Sequence, residues 1–284
     1  MATQAASQVV LRAMTAGDLD AATELSREQG WPHREEDWAL FLELGEGLVA
    51  ELDGRVTGTA MGWRFGADFA TMGSIIVSNA SQGRGIGRKL TEAVLERLAG
   101  RNVVLNATED GLPLYAKLGF VETGTVFQHQ AVAPAVPLAE LVPGERVRPM
   151  GAADDCLADM YSRACGMDRS ALLGVLTEHA STVVLTRDHT AVGFAQFRRF
   201  GRGWSVGPVV APDQGGAKAL ISHWLGANTG SFCRIDVTGD SGLSPWLEDL
   251  GLPCVGTVRT MVRGNPPITD PDVHAYALVA QALG

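Results

Sequence analysis

The hydrophobic pattern changes period abruptly within residues 71–99. Ile75, Ile76 and Val77 form an unbroken β-branched run of the kind a buried strand carries, and residues 78–82 break it as a turn. Leu90, Ala93, Val94 and Leu98 then recur at helical spacing until Gly100 supplies a stop. Elsewhere, VAELDGRVTGTA alternates apolar and polar positions around Asp53-Gly54, the signal of a type I′ hairpin. Residues 103–107 read as another strand, followed by a helix bearing Tyr115. Trp31, Trp38, Phe41 and Leu44 mark the apolar face of a second helix, and residues 272–283 read as a short terminal helix. The mixture of elements predicts an α/β fold.

The two halves share short identities in the same order. Arg12-Ala13-Met14 is matched by Arg148-Pro149-Met150, and Arg64-Phe65-Gly66 by Arg199-Phe200-Gly201. Gln82-Gly83 is matched by Gln214-Gly215, Leu118-Gly119 by Leu250-Gly251, and Gly124-Thr125-Val126 by Gly256-Thr257-Val258. These matches in register imply two copies of one fold. Pro134, Pro137 and Pro143 punctuate a linker over 131–145.

The chain has 284 residues, enough for two domains, and a formal net charge of −9. That balance gives no general pull toward nucleic acid or anionic lipid. Its four cysteines have no C-x-x-C spacing and no histidine cluster beside them, so a metal site is not expected and the thiols read as reduced, in a cytoplasmic setting. No leader or membrane-spanning run is indicated.

The glycine-rich turn carries the chemistry. Gly83, Gly85 and Gly87 let the backbone bend tightly, so that several N–H groups converge on a phosphate at the positive end of a helix dipole. A dinucleotide fingerprint needs glycine where Arg88 stands, and a Walker loop needs Gly-Lys-Ser/Thr where Lys89 precedes Leu90. What remains, Gln82-x-x-Gly85-x-Gly87 after a strand, resembles the acyl-CoA loop of the GNAT family of N-acetyltransferases. Leu114-Tyr115-Ala116-Lys117-Leu118-Gly119-Phe120 resembles the segment that closes GNAT domains. The tandem layout is most similar to the bacterial group loosely called YitH-like.

The resemblance implies two GNAT-like domains, each a mixed, mostly antiparallel sheet flanked by helices: a tail at 1–8, an acyl-CoA-binding domain at 9–130, and a degenerate domain at 146–284. It implies acetyl-CoA as co-substrate, its thioester beside Ile75, Ile76 and Val77. Its pyrophosphate would lie on Gln82, Gly83, Arg84, Gly85, Ile86, Gly87 and Arg88, with Asn106 near the pantetheine or capping its own turn. Tyr115 stands where relatives place the acid that meets the leaving thiolate, or else packs in its helix.

Family members often place a glutamate base on the fourth strand, where this chain has Met72, Gly73 and Ser74. His33 is the preferred candidate because an ordinary imidazole titrates near neutrality; a capping histidine, Asp68, Glu109, Asp110 or a relayed water are alternatives. In the second copy Ala217 and Ala219 replace Gly85 and Gly87, Gly216 replaces Arg84, and Leu247 replaces Tyr115, so that copy is expected not to bind acyl-CoA. Gly239-Asp240-Ser241-Gly242 imitates a serine-protease loop, but lacks the following glycine and a matching histidine, and reads as a turn. The expected activity is acetyl transfer to the amine of a small metabolite by a monomer or homodimer; the alternative is an acyl-CoA sensor without turnover.

Overall fold

The computed structural model describes residues 8–137 and 139–284, so most of the expected tail lies outside the described residues. The first copy comprises β1 (Val10–Ala13), α1 (Leu19–Glu28), α2 (Glu35–Leu44), β2 (Glu46–Leu52), β3 (Arg55–Phe65), β4 (Phe69–Val77), α3 (Ile86–Arg97), β5 (Asn102–Ala107), α4 (Leu112–Lys117) and β6 (Val121–Val132). The second repeats the order: β7 (Glu145–Pro149), α5 (Leu157–Cys165), α6 (Ser170–His179), β8 (Ser181–Arg187), β9 (Thr190–Phe200), β10 (Gly203–Ala211), α7 (Gln214–Ala227), β11 (Phe232–Thr238), α8 (Ser244–Asp249) and β12 (Cys254–Arg263). A further strand, β13 (His274–Ala277), follows.

Local chemistry repeats with the elements. Arg12 clamps Asp18 through two hydrogen bonds of 2.9 and 2.7 Å, and Arg148 clamps Asp154 at 2.6 and 2.7 Å. The hairpin turns match too: Asp53 and Gly54 have φ of 51° and 76°, and Asp188 and His189 have 47° and 69°, both positive as a type I′ turn requires.

All strands join one sheet in the order β1-β2-β3-β4-β5-β12-β6-β11-β13-β10-β9-β8-β7. Among the described residues only β4–β5 and β10–β11 run parallel. The copies exchange their last long strands: β12 pairs with β5 of the first copy, β6 with β11 of the second, and β6 and β12 pair antiparallel at the centre. Helix α3 covers one face of the first half with Ile86, Leu90 and Val94, against Ala60, Met72 and Leu105. The other face carries Trp38, Phe41, Met61 and Trp63 and merges with Leu172, Leu176, Phe194 and Phe200 of the second copy in one core.

The terminal segment corrects an expectation. Residues 272–283 form no helix; residues 274–277 are β13, wedged between β10 and β11. Gly207 makes room for the continuing chain, since a Cβ there would strike the Leu278 carbonyl oxygen.

Candidate active site

Strand β4 is distorted in its C-terminal half. Register against β3 slips between Thr59 opposite Ile76 and Met61 opposite Gly73, and Ser74 takes φ of 50°, an uncommon state for a residue with a Cβ. Thr59 Oγ donates to the Ser74 carbonyl at 2.9 Å and holds the bulge. Parallel pairing with β5 covers only Phe69, Ala70 and Thr71. Beyond it the strands separate, and the β4 backbone carrying Ile75, Ile76 and Val77 has no pairing with β5.

The loop after β4 leads into α3 through Gly83 and Gly85, with φ of 76° and 74°, the second being the helix N-cap. A Cβ at either would meet nothing within 4 Å, so glycine is required by the left-handed backbone rather than by crowding. Among the described residues no backbone acceptor takes the N–H groups of residues 83–88, and no side chain caps α3. Gln82 is exposed and folds back on the loop: its Nε2 donates to the Val77 carbonyl and to Asn79 Oδ1, both at 3.2 Å. Arg88 pairs with Glu92 at 2.8 Å. Glu28 braces the loop by accepting from the Asn79 N–H at 3.0 Å.

Tyr115 packs its ring on Phe120, with centroids 5.9 Å apart, and over Gly111, where a Cβ would lie 2.7 Å from the ring. It belongs to the apolar cluster on the α3 side, with Met72 and Leu105. Burial pushes its phenol up to about 12, and no hydrogen bond to its hydroxyl is found among the described residues.

His33 lies elsewhere. Its ring is enclosed by Trp31, Trp38, Phe41 and Phe200, and Nδ1 meets Ser26 Oγ at 3.2 Å. Burial, reinforced by the positive fields of Arg234 and Arg198, lowers it to about 4. The neutral titration that made His33 attractive as a base is therefore corrected, and its partners belong to the core on the opposite face from Tyr115. The folded state resists protonating His33 while the unfolded chain accepts the proton near 6.5, so stability falls as pH drops from about 6.5 to about 4. Denaturant titrations of the parent and His33→Asn across this window should show a shallower pH slope in the variant.

Asn106 does not cap its own turn, the alternative to a pantetheine contact. Its Nδ2 donates to the Gln281 carbonyl at 2.8 Å and its Oδ1 accepts from Thr260 at 2.8 Å. Gln281 Nε2 reaches Asp236 at 3.1 Å and Gln128 at 3.3 Å. The terminal segment thus crosses the centre of the sheet and lies along β4, where a Cβ on Gly73 would come within 2.9 Å of Ala282. At position 73, therefore, a side chain has no room. No sequence signal announces Gln281 or Asp236, since they approach Asn106 and Gln281 only through contacts between distant parts of the chain.

The second copy is closed at both equivalent places. Asp213 caps α7, its carboxylate accepting from the Gly216 N–H at 2.8 Å, so the chain's own anion occupies the helix end that α3 leaves open. Strand β13 fills the gap between β10 and β11. The methyls of Ala217 and Ala219 are buried, Ala217 in the core, so the closure does not come from methyls crowding a loop mouth. The Gly239–Ser241 turn is a 3₁₀ element, with Ser241 Oγ hydrogen-bonded to the Thr238 carbonyl.

The open helix end, the split strand pair and the repeated architecture agree with comparisons to known proteins. The acetyltransferase (GNAT) domain matches residues 43–122 and again residues 157–277. The chain is a tandem member of the GNAT acetyltransferases. It is 26% identical over 269 residues to an uncharacterised N-acetyltransferase, YitH, of Bacillus subtilis (strain 168), covering 92% of this chain and 93% of that protein. The fold resembles a putative acetyltransferase from Pyrococcus horikoshii, with TM-score 0.81, 21% identity and coverage of 100% and 98%. It also resembles a GCN5-related N-acetyltransferase from Sphaerobacter thermophilus, with TM-score 0.68, 15% identity and coverage of 93% and 98%. The tandem GNAT is an acyltransferase, and GNAT domains use acetyl-CoA as co-substrate. Among the described residues no helix is long and apolar enough to cross a membrane.

Proposed function

We propose that residues 9–130 supply the catalytic half of an acetyl-CoA-dependent N-acetyltransferase for a small amine, and that residues 146–284, joined through 131–145, seal its own cleft and build the other wall. The single observation behind this reading is the contrast between helix ends: unsatisfied N–H groups over 83–88 in one copy, and an Asp213 cap in the other. The pyrophosphate would take those amides, with Arg84 and Arg88 adding charge. Gln82, exposed beside those amides, would brace the loop through Val77 and Asn79.

In the transfer itself, the neutral amine nitrogen attacks the thioester carbonyl and forms a tetrahedral oxyanion, which backbone N–H groups beside the β4 bulge stabilise. Collapse breaks the carbon–sulfur bond, the electron pair leaves on sulfur, and the amine gives up a proton to solvent. A phenol at about 12 holds its proton against a thiolate of ordinary basicity, near 8.5. Tyr115 therefore serves as a hydrogen-bond donor to the departing sulfur.

Mixing the purified chain with acetyl-CoA and a broad panel of small amines, with free thiol as readout, tests this function. Amine-dependent thiol release supports transfer. Acetyl-CoA binding without release from any amine would favour a sensor, a reading consistent with a β4 that has no carboxylate at residues 72–74.

A further inference from the structure

Away from the loop and Tyr115, a cavity of about 320 Å³ opens between α2 of the first copy and α6 and β9 of the second. Its walls include Arg34, Asp37, Glu43, His179 and Arg198, and its volume falls at the small end of ligand pockets, near 300 Å³. Arg198 is 2% exposed and forms no ion pair among the described residues. Two acids exert a field on it, yet both are committed elsewhere. Asp37 holds Arg34 at 2.8 Å and the Gly201 N–H at 2.9 Å; Asp236 holds Arg234 at 2.9 Å.

The guanidinium of Arg198 donates to the carbonyls of Arg199 and Val279 at 3.3 and 3.0 Å and leans over the Phe200 ring, while its Nε has no acceptor. Burial lowers Arg198 to about 10. An unpaired buried cation is destabilising until a counter-ion completes it. At the mouth the side chains of Glu36 and Glu43 are 74% and 52% exposed, Glu36 lying 3.8 Å from Arg34 and Glu43 3.7 Å from His179, and exposed Arg199 also lines the cavity. A cation set deep with carboxylates at the rim complements a small zwitterion.

We propose that this cavity between the copies binds a free α-amino acid, with its carboxylate on Arg198 and its ammonium toward Glu36 and Glu43. The ligand would touch both halves of the chain and tie them together. None of the cavity's walls belongs to the loop or to α4, so the proposal does not depend on the acetyl-transfer reading.

Thermal shift and calorimetry of the full chain against each free L-amino acid test the proposal. At least one should raise the melting temperature, and its des-amino carboxylate should bind about tenfold more weakly or worse, the scale of one charge-assisted hydrogen bond. Arg198→Met, which removes the buried charge at similar volume, should abolish the shift while leaving acetyl-CoA affinity unchanged. Glu36→Gln with Glu43→Gln, on the exposed rim, should erase the preference for the amino acid over its des-amino analogue. Absence of binding by every amino acid at millimolar concentration overturns the site. So does undiminished binding by Arg198→Met or, should that variant not fold, an unchanged preference in the rim variant.

Discussion

Tyr115→Phe is expected to lower kcat for amine acetylation by about 100-fold, the low end of what one preorganised hydrogen-bond donor contributes, while the affinity for acetyl-CoA stays near that of the parent. The substitution keeps the ring, and with it the packing on Phe120 and over Gly111, so the fold has no reason to change. It removes a hydroxyl that has no hydrogen bond among the described residues, from a side chain on the α3 side of the sheet with Met72 and Leu105. Because the phenol is pushed up to about 12, the loss should persist at every pH between 6 and 9 rather than track a titration. Steady-state kinetics with free-thiol detection, together with a binding titration, read the two quantities separately. A kcat within a few-fold of the parent would remove Tyr115 from the reaction.

The second large effect concerns folding. Residues 1–140 expressed alone should show no cooperative thermal transition, although they contain every element of the first copy. Without the second copy, β5 loses Arg259–Arg263 from its edge, and β6 loses both neighbours, β11 and β12. The apolar face carrying Trp38, Phe41 and Trp63 loses Leu172, Leu176 and Phe200. An open strand edge beside an uncovered apolar face favours aggregation over a stable monomer. Co-expression with residues 141–284 should restore a soluble complex with one transition. A monomeric, cooperatively melting fragment 1–140 would show instead that the exchanged strands are dispensable.

The loop and the duplication were legible because both rest on local signals. Gly83 and Gly85 stand where the backbone turns left-handed, and Asp53-Gly54 forms the turn its residue types call for. The strand exchange was not legible. Gly124-Thr125-Val126 and Gly256-Thr257-Val258 are equivalent, so either strand can complete either half, and only the assembled sheet decides. The terminal segment misled for a related reason: Val273, Tyr276, Ala277, Ala280 and Leu283 stand at helical spacing, yet all are buried by a strand and turns sandwiched in the molecule. Tertiary burial overrode periodicity there. The histidine failed through its surroundings, since four aromatic rings and two arginine fields that no sequence pattern reveals set its protonation.

The central claim is that one helix end of two is open to a diphosphate, and calorimetric titration with acetyl-CoA tests it most directly. The parent should bind one molecule per chain. Gly85→Asp, which places a carboxylate beside the free amides where it competes with and repels the diphosphate, should weaken binding at least tenfold, the scale of one charge-assisted hydrogen bond. Asp213→Asn should leave affinity and stoichiometry as they were. Two molecules per chain, no binding at all, or a Gly85→Asp variant that binds as the parent does would contradict the account.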